Sequence, residues 1–113
     1  MGTNYYAVER KFSLHRNIIH IGKSSAGWKF NFQGYQDYEL DWNKPHISIN
    51  SVEDWKAFLS NKEEYGILNE YDEEISYEDF FNMVEEKQKE DNKDDFRYTA
   101  NINGYRFSYN DFS

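Results

Sequence analysis

The chain has 113 residues, 19% of them aromatic and none of them cysteine, with 21 carboxylates against 13 lysines and arginines for a formal charge of −8. That length suits one domain, 1–113, with one core, and the missing cysteines exclude disulfides and thiolate metal sites. With no run of about 18 apolar residues and no charged-then-apolar leader, the expectation is a cytoplasmic protein with no membrane association.

Only 15 residues are Ile, Leu or Val, so the 9 Phe, 10 Tyr and 3 Trp must supply most of the core. Tyr5 to Phe12 reads as a strand, with Tyr6 and Val8 on one face and Tyr5, Ala7 and Glu9 on the other. Ile18 to Ile21 is a β-branched run, and Trp28, Phe30 and Phe32 alternate with Lys29, Asn31 and Gln33, so these two runs predict a hairpin. Gly22 to Gly27 is the expected loop between them, because glycines at each end are free to take positive φ. Gln33 to Pro45 reads as irregular, with a short edge piece around Tyr38 and Leu40.

His46 to Asn50 predicts a short strand. Ser51 and Asp54 then resemble a capping box, and Val52, Trp55, Phe58 and Leu59 share one face of the helix that follows to about Asn61. Tyr65 to Tyr71 reads as a strand. Ser76 and Asp79 repeat the cap, opening a helix whose buried stripe is Tyr77, Phe80, Phe81 and Val84, with Glu85 and Lys89 at i,i+4 outside. Beyond the charged connector Lys89 to Asp95, Asn103-Gly104 is a type I′ turn pair that sets Ile102 opposite Tyr105, Ala100 opposite Phe107 and Tyr98 opposite Tyr109. The fold class expected is α+β: a mostly antiparallel sheet of five or six strands with two short helices on one face.

Gly22-Lys-Ser-Ser-Ala-Gly27 has the glycine spacing of a P-loop, but Trp28 stands where its lysine must be and a strand follows instead of a helix. The nucleophile-elbow pattern fails at Ala26. A turn rich in glycine and serine still offers backbone N–H groups to an anion, so His20, Lys23, Ser24, Ser25 and Trp28 are candidate ligand-binding residues, against the ordinary reading of a solvated hairpin tip. His15, His20 and His46 have no metal-site spacing, and no cofactor is expected.

Charge is uneven. Residues 1–34 carry five basic groups and one acid, whereas residues 63–95 carry fourteen carboxylates and three lysines. Such a field repels nucleic acid and attracts basic proteins, so Glu70, Asp72, Glu73, Glu74 and Glu78 are candidate protein contacts, against the ordinary reading of a solvated face.

The start MGTNYY (Met1 to Tyr6) together with HIGKSSAGW (His20 to Trp28) resembles a family of small uncharacterised proteins of bacteriophages, prophages and bacteria. The likeness continues more loosely through Asp54-Trp55, Asn69 to Asp72, Ile75-Ser76, Gly104 to Phe107 and Phe112-Ser113, and so covers nearly the whole chain. Many relatives carry a Cys-x-x-Cys pair between the two N-terminal motifs. Here Glu9 to Asn17 holds no cysteine, so no metal role carries over. The resemblance implies a phage setting and no catalytic residues.

The leading expectation is a non-enzymatic phage or mobile-element accessory protein that binds and inhibits a host protein with a basic surface, an antiviral defence component. The alternative is a nucleotide- or anion-binding protein using the 22–27 loop. Homo-oligomerisation is left open by the sequence.

Overall fold

In the computed structural model, which describes residues 2–10, 18–25, 30–39, 46–89, 100–102 and 105–108, the strands are β1 (Gly2–Glu9), β2 (Ile18–Ser25), β3 (Asn31–Gln33), β4 (Tyr35–Tyr38) and β5 (Ile47–Ile49). Helix α1 (Val52–Leu59), β6 (Tyr65–Asn69), β7 (Glu74–Ile75), α2 (Tyr77–Lys87), β8 (Ala100–Ile102) and β9 (Tyr105–Ser108) complete the order. One sheet runs β7-β6-β1-β2-β3-β9-β8, and β4 pairs with β5 in a separate ribbon. Every pairing is antiparallel except β3 with β9. The fold is α+β, as the composition and periodicity predict, with the two-residue β7 added to a sheet of longer strands.

Both helices pack on the sheet face that carries Tyr5, Phe30 and Tyr65. Phe80 of α2 meets Tyr5 and Phe30 edge-on at 5.5 and 5.4 Å between ring centroids, and Phe58 of α1 lies 4.6 Å from Tyr65. Phe30, Phe32, Phe80, Phe107 and Trp55 are fully buried, and burial of each such side chain stabilises by roughly 1.5–3 kcal/mol relative to exposure. Aromatic rings thus do the work that aliphatics do in most domains. Trp55 also needs a partner for its indole N–H, and it donates to the Gln33 carbonyl at 2.9 Å.

The helix starts match the sequence reading because they are set locally. Ser51 Oγ accepts from Asp54 N and Ser76 Oγ from Asp79 N, both at 3.1 Å. The C-terminal hairpin has the predicted register, Ala100 with Phe107 and Ile102 with Tyr105. Its turn, Asn103-Gly104, and the Tyr98–Tyr109 pair lie outside the described residues.

Three expectations need correction. Gly22 to Ser25 form the end of β2, not a loop, and pair with β1 from Tyr5 down to Gly2. The glycine is required there for space: a Cβ on Gly22 would lie 2.3 Å from the Asn31 carbonyl oxygen and 2.5 Å from the Phe30 ring. The edge piece expected around Tyr38 and Leu40 starts earlier, at Tyr35: Tyr35 to Tyr38 pair with Ile47 to Ile49 across a kink at Asp37, whose φ is 49°. Strand β6 ends at Asn69, two residues before Tyr71, because the Asn69 side chain takes the next backbone donors. Its Oδ1 accepts from Tyr71 N at 2.8 Å and Glu73 N at 3.0 Å, and Asp72 sits at φ 63° in the turn so formed.

Candidate functional site

Strand alternation turns Tyr6 and Val8 away from the helices, and their cross-strand partners follow. Tyr6 is opposite His20 and Leu68, while Val8 is opposite Ile18 and Gly66. A register shift between Tyr5 and Tyr6 is what brings His20 level with Tyr6, and their rings lie 5.3 Å apart. The result is an open face over β6, β1 and β2 with an apolar floor of Tyr6, Val8, Ile18 and Leu68. The floor lines a cleft of about 390 Å³ walled by Asn69, Glu70 and Asp72.

This face is uncovered only in part. On its far half, over β3 and β9, Asn31, Gln33, Arg106 and Ser108 are buried. On the near half Ile18 is 59% exposed, and Tyr71 in the adjoining turn is 68% exposed. An exposed isoleucine at the rim of an open apolar cleft marks a candidate interaction surface.

A polar chain crosses the floor. Asn4 N donates to Glu70 Oε1 at 2.7 Å, and His20 Nε2 donates to Asn4 Oδ1 at 2.9 Å. Asn4 therefore joins one residue from each sequence-predicted set, His20 from the ligand-binding candidates and Glu70 from the protein contacts. Sequence reasoning missed Asn4 because the link depends on the register of β1 against both neighbours. The only signal was that Asn4 lies in the MGTNYY stretch and His20 opens HIGKSSAGW, and the described residues of these stretches lie in the paired strands β1 and β2.

Beside His20 lies a second cleft of about 630 Å³, lined by Gln33, Tyr35, Gln36 and Tyr38 among others. It exists because β2 and β3 pair only at Gly22–Phe32 and Lys23–Asn31 and diverge beyond. The His20 carbonyl exposed by that divergence accepts from Tyr35 Oη at 2.8 Å.

The other candidates are dispersed. Lys23 pairs with Asn4 and Ser24 with Thr3, so alternation sends their side chains to opposite faces and they do not converge on one anion. Ser25 ends the strand, and Trp28 lies outside the described residues. Among the acids, Glu73 is tied back to Asn69 Nδ2 at 2.8 Å. Glu74 accepts from Arg10 Nη2 at 2.7 Å, and that hydrogen bond holds its carboxyl below the usual range and lifts Arg10. Glu78 is paired with Lys62, whose hydrogen bond also lowers it. Asp72 alone of the five has no side-chain partner among the described residues. Glu70 and Asp72 wall the apolar floor, whereas Glu74 and Glu78 flank a separate recess with Arg10, Lys62 and Tyr77.

Among the described residues no group of three or more His, Asp or Glu side chains is placed to hold a metal ion. No helix among them is long and apolar enough to cross a membrane. Comparison with protein-family models, with curated proteins and with solved structures finds no match to the chain.

Proposed function

We propose that the protein is a non-enzymatic binding protein that docks on another protein and blocks it, in the setting of a bacteriophage or mobile element acting on its host. The observation that carries this reading is the half-uncovered sheet face: four apolar side chains with two carboxylates at their edge. Tyr6 is the residue type that anchors protein interfaces, since a rigid ring gives large contact area at low entropy cost. The formal charge of −8 favours a basic partner by steering and by complementarity. The phage setting is supported by the resemblance of the first two strands to phage-associated proteins.

The test is capture of a host protein from bacterial lysate on the tagged chain, with mass spectrometry of what is retained. A single partner held in stoichiometric amount, and lost with Ile18→Lys, is the expected result. Absence of any retained protein at stoichiometric amount overturns the reading.

A further inference from the structure

We infer that the face over β6, β1 and β2 accepts one amphipathic α-helix of basic character, its apolar stripe on Tyr6, Val8, Ile18 and Leu68 and its lysines or arginines toward Glu70 and Asp72. The inference rests on the binding function proposed above and names the chemistry of the partner. Three observations select it.

The first is that the strands beneath the floor are interior. Strand β1 is paired on both sides, β2 lies between β1 and β3, and β6 lies between β1 and β7. Beneath the floor the β1 ladder is complete on both sides, and the stretch of β2 from Ile18 to Ile21 that β3 leaves unpaired opens sideways toward the second cleft, so a ligand seated on the floor itself joins no edge and must bring side chains instead. The second is size. Three strands about 4.8 Å apart present a floor roughly 10 Å across, which matches the 10–12 Å diameter of one helix with its side chains. The opposite face of the same sheet already receives two helices in this manner.

The third is charge. The two carboxylates that wall the cleft have no cationic partner among the described residues: Asp72 has no side-chain partner, and Glu70 accepts from the neutral Asn4. Glu74 is matched by Arg10 and Glu78 by Lys62. A helix with lysine or arginine flanking its apolar stripe supplies the missing counter-charge at the wall of the floor, where partial desolvation strengthens the attraction. A helix of acidic or neutral polar character would leave it unmet.

Three synthetic helical peptides of about 14 residues, each ~20 Å long, separate the terms. One places Leu at i, i+3, i+4 and i+7 with Lys elsewhere, a second keeps the lysines and replaces Leu by Ser, and a third keeps Leu and replaces Lys by Glu. Fluorescence anisotropy against the full chain is expected to show binding of the Leu/Lys peptide, with the other two weaker by about tenfold or more. Ile18→Lys is expected to lose binding to the same degree while keeping its far-UV circular dichroism, since Ile18 is 59% exposed and contributes little to the core. Asp72→Asn, which tolerates the left-handed backbone, is expected to weaken binding several-fold. Glu86→Gln, on the outer side of α2, is expected to change nothing.

Equal binding of the Leu/Lys and Ser/Lys peptides, or equal effects of Glu86→Gln and Ile18→Lys, overturns the inference, because attraction is then general charge. A wild-type dimer in light scattering that Ile18→Lys dissociates also overturns it, since a second copy then covers the face. Capture of a host protein that survives Ile18→Lys refutes this placement and leaves the binding function standing. Peptide binding without any captured protein does the reverse.

Discussion

Replacing Gly22 by alanine probes the feature on which the sequence and the structure part most clearly. In a turn tip, an added methyl meets solvent, and its cost is the loss of a permissive backbone, about 1 kcal/mol. In β2 the same methyl lands 2.3 Å from the Asn31 carbonyl oxygen and 2.5 Å from Cε2 of Phe30, 0.7 and 0.5 Å inside the 3.0 Å floor that real Cβ contacts keep. Phe30 is fully buried and cannot swing out, and Asn31 O is backbone. The β2–β3 pairing must therefore open. Overpacking of this kind costs about 1–3 kcal/mol, and the rigid obstacle puts Gly22→Ala near ~3 kcal/mol. With a urea slope of roughly 2 kcal/mol/M, the unfolding midpoint should fall by about 1.5 M. Gly66→Ala is the control. Its added Cβ meets only the end of the Arg10 side chain, at 3.0 Å, which can move aside, so its midpoint should stay within about 0.5 M of wild type. A Gly22→Ala midpoint as little changed as that of Gly66→Ala would refute the strand placement of residues 22–25.

Further outcomes follow from single contacts. Trp55→Phe leaves the Gln33 carbonyl without its indole donor and opens space in the core, and should lower stability by about 1–3 kcal/mol in a denaturant melt. The Tyr105 hydroxyl donates to Glu85, and that hydrogen bond, with burial and the neighbouring carboxylate charge, pushes its pKa from 10.0 up to about 12. Because the folded value lies above the unfolded one, this contribution to stability is complete below pH 10 and is lost as pH rises toward about 12. Tyr105→Phe should remove that part of the alkaline loss in a pH series of melts. Glu74 is shifted the other way by Arg10, so its contribution is present above its ordinary value of 4.5 and fades as pH falls through the lowered one. Both groups are half-exposed, so Glu74→Gln should cost less than about 1 kcal/mol at pH 7 and nothing in strong acid. If the candidate loop carried an anion site, millimolar nucleotide would raise the melting temperature; the opposite orientation of Lys23 and Ser24 predicts no shift.

What could be read from the chain alone was what short-range chemistry dictates. Of the stripes Val52, Trp55, Phe58, Leu59 and Tyr77, Phe80, Phe81, Val84, all are buried except Phe58 and Tyr77, which are partly so, and the serine caps fall at Ser51 and Ser76. The two faces of β1 were legible too, because alternation in Tyr5 to Glu9 needs no partner to be interpreted. Gly22 was not, since glycine looks the same whether it frees a turn or yields room to Phe30. Nor was the parallel pairing of Asn31 to Gln33 with Arg106 to Ser108, which joins segments far apart in sequence. The candidate site mixed the two kinds of information. Its carboxylates were visible as a charge run, but which of them are neutralised depends on Arg10 and Lys62 arriving from other strands and turns. Its apolar floor was hidden for the same reason, as Val8, Ile18 and Leu68 meet only through the β6-β1-β2 register.

Backbone amide NMR of the full chain titrated with the Leu/Lys peptide tests the central claim most directly. Shift changes confined to Tyr6, Val8, Ile18, His20, Leu68 and the 70–72 turn are the result predicted. Changes centred on the outer side of α2, or on Lys23 to Ser25, would contradict the assignment of the open sheet face as the working surface.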